Sequence, residues 1–154
     1  MNEIIKDPNP ILHEVSESVK LPLSKEDKQL IDEMYSWLKE HNDTAVGLSA
    51  VQIGVLKRLC VIRLDIGGLI HGYKLVNPKI VRHSFQKRYL EEGCLSVEEQ
   101  YHNLVPRYDE IMVVAYDAIQ NKNITINTSG WFARVLQHEI DHMDGILFTD
   151  RMEK

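Results

Sequence analysis

The stretch Ser129-Gly130-Trp131-Phe132-Ala133-Arg134-Val135-Leu136-Gln137-His138-Glu139-Ile140-Asp141-His142-Met143-Asp144-Gly145 reads as one helix with its own start and stop. Ser129 and Gly130 open it, its body runs from about Trp131 to Asp144, and Gly145 is a natural C-terminal stop. Trp131, Val135, His138 and His142 fall on one stripe, so an otherwise apolar face carries two imidazoles. His138 and His142 stand four residues apart, one above the other on the helix, and both can reach a single cation without distorting the backbone. Glu139 points about 100° round the helix, where it can stand beside a metal and accept a proton from water instead of ligating. Two surface histidines and a solvated glutamate would spell the same five letters, so the rest of the chain has to decide. The apolar stripe favours a buried helix with its metal inside the molecule.

Outward from this helix the pattern turns to strands. Arg58 to Leu64, Tyr73 to Val81, Arg88 to Glu91, Ile111 to Asp117 and Ile124 to Asn127 are rich in Val, Ile, Leu, Tyr and Thr. Gly67-Gly68 and Gly72 mark a loop, Asn77-Pro78 interrupts a strand, and Asn121-Lys122-Asn123 reads as a turn. Before the strands, Ser24 opens a helix with Asp27 as a variant capping box. Leu30, Ile31, Met34, Trp37 and Leu38 recur at helical spacing through about His41. Met34 and Trp37 are read as core packing. Strands before one long central helix, without regular βαβ alternation, predict an α+β fold with mixed or antiparallel β-sheets.

A catalytic site of this kind takes three protein ligands and leaves a fourth position for water. A metzincin-like third ligand would fall at Phe148, which cannot ligate, and only twelve residues follow His142. The third donor is therefore sought upstream. Cys94, in Glu91-Glu92-Gly93-Cys94-Leu95-Ser96-Val97, is the strongest candidate because a thiolate binds first-row metals well. Cys60 lies in the apolar run Leu59-Cys60-Val61-Ile62 and reads as a small buried hydrophobe. A further string, Ala45-Val46-Gly47-Leu48-Ser49-Ala50-Val51-Gln52-Ile53-Gly54, combines small residues that admit a close backbone with an amide at Gln52.

Gly-Leu-Ser-Ala-x-Gln, Glu-Gly-Cys-Leu-Ser and Gln-His-Glu-x-Asp-His, in this order, closely resemble the three motifs of the peptide deformylases. With Asp7-Pro8 to Glu14 and Gly145 to Arg151, the match covers nearly the whole chain. The resemblance implies β-sheets around the metal-bearing helix and a metal held by Cys94, His138 and His142. It makes Glu139 the general base and then general acid. The oxyanion donors it implies are the Gln52 side chain and the Leu95 backbone N–H. Gly47 and Gly93 match positions where the substrate peptide runs along the backbone like an added strand. Val46, Leu90 and Val135 match the methionine pocket, with Arg134 near its mouth. The reaction implied is removal of the formyl group from an N-formylmethionyl peptide. The metal implied is one divalent ion, iron(II) in the cell, with Zn2+, Ni2+ or Co2+ suited to the same donors.

Glu92 can serve as an acceptor that orients a ligand histidine, whereas Asp141 reads as a helix-surface or salt-bridge residue. His13, His41, His71, His83 and His102 lack ligand spacing and read as structural or solvated. The chain departs from the family pattern at Ala45, where Gly is usual and a positive φ would strain alanine. It departs also at Ser49, where many members carry Ala, and at Glu98, where Pro is common. It stops soon after Arg151, without the extra C-terminal helix of some members. Two other readings share the residues: a deformylase-like protein that binds metal or peptide with little turnover, and a different metallohydrolase such as a peptidase.

A chain of 154 residues is expected to form a single domain, 1–154, which needs no metal merely to hold it together. Its net charge of -5 and scattered lysines and arginines give no nucleic-acid footprint, so any role at the ribosome rests on local contacts. The N-terminus lacks an apolar signal region, no apolar run approaches a membrane span, and two cysteines suit a reducing compartment. A cytoplasmic monomer is the expectation.

Overall fold

The computed structural model describes residues 1–154. Helix α1 (Lys25–Glu40) is followed by β1 (Gly47–Ser49), β2 (Leu59–Ile66), β3 (Leu69–His83), β4 (Lys87–Leu90), β5 (Val105–Tyr108), β6 (Glu110–Asp117) and β7 (Lys122–Ser129). Helix α2 (Gly130–Met143) and a single turn, α3 (Phe148–Arg151), complete the chain. Five strands form one sheet in the order β1-β2-β3-β6-β7, and β4 pairs with β5 in a second. Every strand pair is antiparallel, which defines the α+β architecture.

Helices cover both faces of the sheet where β2 lies, which is why Leu59-Cys60-Val61-Ile62 is a continuous apolar run rather than an alternating one. Cys60, Ile62 and Leu64, with Leu75 and Val113 of the same sheet, pack against Leu136 and Met143 of α2. Leu59 and Val61 point the other way, into a cluster with Ile31, Met34 and Leu38 of α1. Ser24 caps α1 by accepting a hydrogen bond from the Asp27 backbone N–H at 3.1 Å, as its spacing predicts.

Three local features differ from the sequence reading. Gly72 lies within β3, paired with Arg63, and not in a loop. A Cβ there would stand 2.0 Å from the Tyr35 hydroxyl, so the glycine serves packing. Asn77-Pro78 leaves β3 continuous but shifts its register on β6 between Val76 and Lys79, with Asn77 at φ 52. Strands β1 and β5 have no counterpart among the expected strands. Of the expected turn only Asn121, at φ 55, belongs to it, since Lys122 and Asn123 already pair in β7, and Ala45 is free of the suspected strain because its φ is not positive.

Candidate active site

Helix α2 presents three stripes, as a rotation of about 100° per residue dictates. Ala133, Leu136, Ile140 and Met143 enter the apolar core. Val135, His138, Glu139 and His142 form the second stripe, and Arg134, Gln137 and Asp141 the third. Gly145, at φ 74, ends the segment just past the helix; a side chain there would meet the His13 carbonyl at 2.6 Å.

The second stripe meets Cys94. One donor atom from each of Cys94, His138 and His142 lies within 4.8 Å of the others, and Cys94 Sγ stands 3.4 Å from His142 Nε2. A tight turn holds the cysteine, with the Val97 N–H donating to the Cys94 carbonyl at 3.0 Å. His138 donates from Nδ1 to Glu92 Oε1 at 2.9 Å, which leaves its Nε2 for the common point.

The electrostatics fit a cation at that point. Burial disfavours charge on His138, yet hydrogen bonding to Cys94 and Glu92 outweighs it and pushes the ring up to about 10, so a metal ion at that point has a proton to displace from His138. Burial, and then His138 and Arg107, push His142 well below its ordinary value, keeping it neutral as a ligand must be. Burial opposes ionisation of Glu92, but hydrogen bonds from Arg107 and His138 prevail and hold its carboxyl well below the usual range. Burial raises Glu139, with His138 and Ser49 opposing, which suits a proton acceptor poised nearer neutrality. Cys60 is fully buried, and burial followed by Glu139 pushes its thiol up, so it stays an inert core group.

Behind the histidines lies a buried ionic scaffold. Arg107 donates to both oxygens of Glu92, at 2.8 and 2.9 Å, and also binds Asp141. Arg134 donates to Glu92 at 2.6 Å and to the Val105 and Arg88 carbonyls. Asp141 is buried and receives Arg151 as well, so its salt-bridge reading holds and its surface reading does not. Gln52 is buried rather than solvated; its carbonyl accepts from the Ser49 N–H at 2.9 Å, and its amide donates to Ser96 Oγ at 3.1 Å, 3.8 Å from Cys94 Sγ.

A cleft of about 840 Å³ opens onto this centre. It is lined by Val46, Gly47, Leu90, Gly93 and Val135, together with Gln52, Cys94, Leu95, Arg134, His138 and Glu139, whereas His142 lies deeper and fully buried. Sequence reasoning passed over Leu104 and Trp131 in the lining and Arg107 behind it. Trp131 carried a signal, since it shares the stripe of His138, but Leu104 and Arg107 carried none. The five remaining histidines stay apart from the centre; His41, for example, stacks on Trp37.

Three soft and borderline donors, an adjacent buried carboxylate and an open cleft define a metallohydrolase type of centre. The polypeptide deformylase family model matches residues 1–154. A peptide deformylase of Shouchella clausii (strain KSM-K16) is 40% identical over 99% of this chain and 90% of its own length. The crystal structure of the Ehrlichia chaffeensis peptide deformylase superposes with a TM-score of 0.88 at 34% identity, covering 100% of this chain and 89% of that one. A second structure of that enzyme, in complex with actinonin, gives a TM-score of 0.87 at 36% identity over 100% of this chain and 90% of that one. The chain belongs to the polypeptide deformylase family, metal-dependent hydrolases that remove the N-formyl group from newly made polypeptides.

Proposed function

We propose that deformylation by this chain, a single domain over 1–154, is carried out by Cys94, His138 and His142 as metal ligands and Glu139 as proton carrier. Gln52 and Leu95 stabilise the developing charge. The observation that carries this reading is the meeting of three donor atoms within 4.8 Å beside the buried Glu139, at the floor of the cleft. A divalent cation held there supplies Lewis acidity and makes water acidic enough to ionise near neutral pH. Glu139 takes a proton from water as the water oxygen bonds to the formyl carbon, and delivers it to the departing amine nitrogen as the carbon–nitrogen bond breaks, leaving formate and a free amino terminus. The Gln52 amide, fixed by Ser49 and Ser96, and the Leu95 N–H donate to the formyl oxygen as it gains charge.

The peptide lies along β1, whose outer edge is unpaired at the end of the sheet, and Gly47 and Gly93 leave room for its backbone. Val46, Leu90 and Val135 receive the methionine side chain. A thiolate with two imidazoles suits iron(II), the proposed metal in the cell, as well as zinc, nickel and cobalt. Nascent chains as substrate, and two unpaired cysteines, support a cytoplasmic monomer working near the ribosome.

The test is formate release from formyl-Met-Ala-Ser by anaerobically iron-loaded protein. Glu139→Ala is expected to lower kcat by roughly 10²- to 10⁴-fold while elemental analysis finds the metal retained. No formate despite stoichiometric metal would instead mark a deformylase-like binder, and cleavage of unformylated peptide a different metallohydrolase. Cys94→Ala is expected to lose the metal and Cys60→Ala to keep it; equal retention would refute the ligand assignment.

A further inference from the structure

Strand β1 is three residues long and pairs Gly47 with Ile62, Leu48 with Val61 and Ser49 with Cys60. Cross-strand partners share a face of a sheet, and alternate residues share it too. Ile62 and Cys60 face α2, so Gly47 and Ser49 also face α2, while Leu48 joins the α1 side. On the α2 face the two residues meet a single side chain, that of Glu139.

Their contacts with it differ. Ser49 is fully buried, and its Oγ lies 3.0 Å from Glu139 Oε1 and 3.0 Å from the Glu139 backbone oxygen. At Gly47 the carboxylate lies where a side chain would begin: a Cβ there would stand 2.6 Å from Oε2, 2.9 Å from Cδ and 3.0 Å from Cγ. Oε1 has a protein donor and Oε2 has none. Contacts this close cannot persist with a real Cβ, so the observed position of the carboxylate requires glycine.

We infer that Gly47 and Ser49 are positioning residues that give the two oxygens of Glu139 separate tasks: Ser49 fixes Oε1, and Oε2, lodged against the bare Cα of Gly47, carries the proton. The single hydrogen of the Ser49 hydroxyl has two acceptors at 3.0 Å; given to Oε1, the charged and stronger acceptor, it holds that oxygen while Oε2 gains the proton from water and passes it to the amine nitrogen. The carboxylate plane stays fixed throughout. The role of Gly47 is thus twofold, to leave space for the peptide and to seat the base. Ser49 adds a tether at a position where the family pattern often has alanine. This inference rests on Glu139 being the proton carrier.

The experiment uses metal-loaded protein with formyl-Met-Ala-Ser and follows kcat, KM, metal content and thermal unfolding. Ser49→Ala is expected to lower kcat about tenfold, the scale of one lost hydrogen bond to a charged group, with KM and metal content unchanged and Ser49→Thr restoring the rate. Gly47→Ala is expected to lower kcat about 100-fold, the effect of misplacing a catalytic group by about 1 Å, with metal retained. Independently of turnover, Ser49→Ala should lower Tm by about 2–4 °C in the wild-type background and by less in Glu139→Ala, where only the contact with the backbone oxygen of residue 139 remains to be lost. Equal Tm losses in both backgrounds, an unchanged kcat in Ser49→Ala, or a Gly47→Ala defect confined to KM would each overturn the inference. A wild-type protein that keeps the non-additive Tm but releases no formate would refute the catalytic reading instead, leaving the seat itself in place.

Discussion

On one side of α2, Ala133, Leu136, Ile140 and Met143 press into the apolar residues of the five-stranded sheet. On another, Arg134, Gln137 and Asp141 enter a network of charges and amides that ties the helix to β5 and Glu92. The apolar side gains from burial, which is non-directional and tolerates small shifts. The polar side gains only from directed bonds: Gln137 accepts from the Tyr108 N–H and donates to the Tyr108 carbonyl, both at 2.9 Å, as a strand neighbour would. The stripe of His138, Glu139 and His142 lies between these two. Its depth is set by the sheet, and the orientation of the His138 imidazole by the charges.

The comparison is tested most severely at Arg107, which is 3% exposed and joins Glu92 to Asp141. Arg107→Ala leaves two carboxylates buried without their shared partner. Urea unfolding should show a loss of about 3–5 kcal/mol, and the freed Glu92 should weaken metal affinity roughly 10- to 100-fold through His138, measured by competition with a chelator. Stability lost with metal affinity intact would mean that the charges do not orient the ligands.

Leu136→Ala on the apolar side should cost about 2–5 kcal/mol by the same unfolding measurement, since Leu136 is fully buried. Here the comparison requires the reverse outcome for function. The folded variant should keep its metal stoichiometry and kcat, because no directed bond reaches the centre from this stripe. A fall in metal content alongside stability would show that the two sides are not separable.

The same division explains what the sequence revealed. Helix α2, its stop at Gly145 and the His138/His142 pair were legible because helical periodicity is local, and α1 announced itself by Ser24 and its stripe. The three side chains that cluster, Cys94, His138 and His142, and much of the cleft lining were legible as motifs. Strand β1 was not, since Gly-Leu-Ser shows no alternation of large apolar residues, and the task of Gly47 appears only once residue 139 packs against it. Strand β5 was hidden by Pro106, which demotes a strand reading but is tolerated in a two-stranded sheet. Without β5 nothing marked Arg107 as buried. Gly72 resembled a loop residue because its partner, the Tyr35 hydroxyl, belongs to a distant helix.

The finest test lies at the rim of the polar side. Arg151 donates to Asp141 at 2.6 and 3.0 Å, a geometry as good as that of Arg107, but its side chain is 43% exposed. Water can therefore replace it, and Arg107 still neutralises Asp141 after its removal. Arg151→Ala should cost less than about 1 kcal/mol in urea unfolding and leave chelator competition for the metal unchanged. The contrast with Arg107→Ala sets a shielded arginine that holds both Asp141 and Glu92 against an exposed one that holds Asp141 alone. A loss from Arg151→Ala comparable to that from Arg107→Ala would mean that the number of bonds to Asp141, and not their shielding from water, holds the scaffold together.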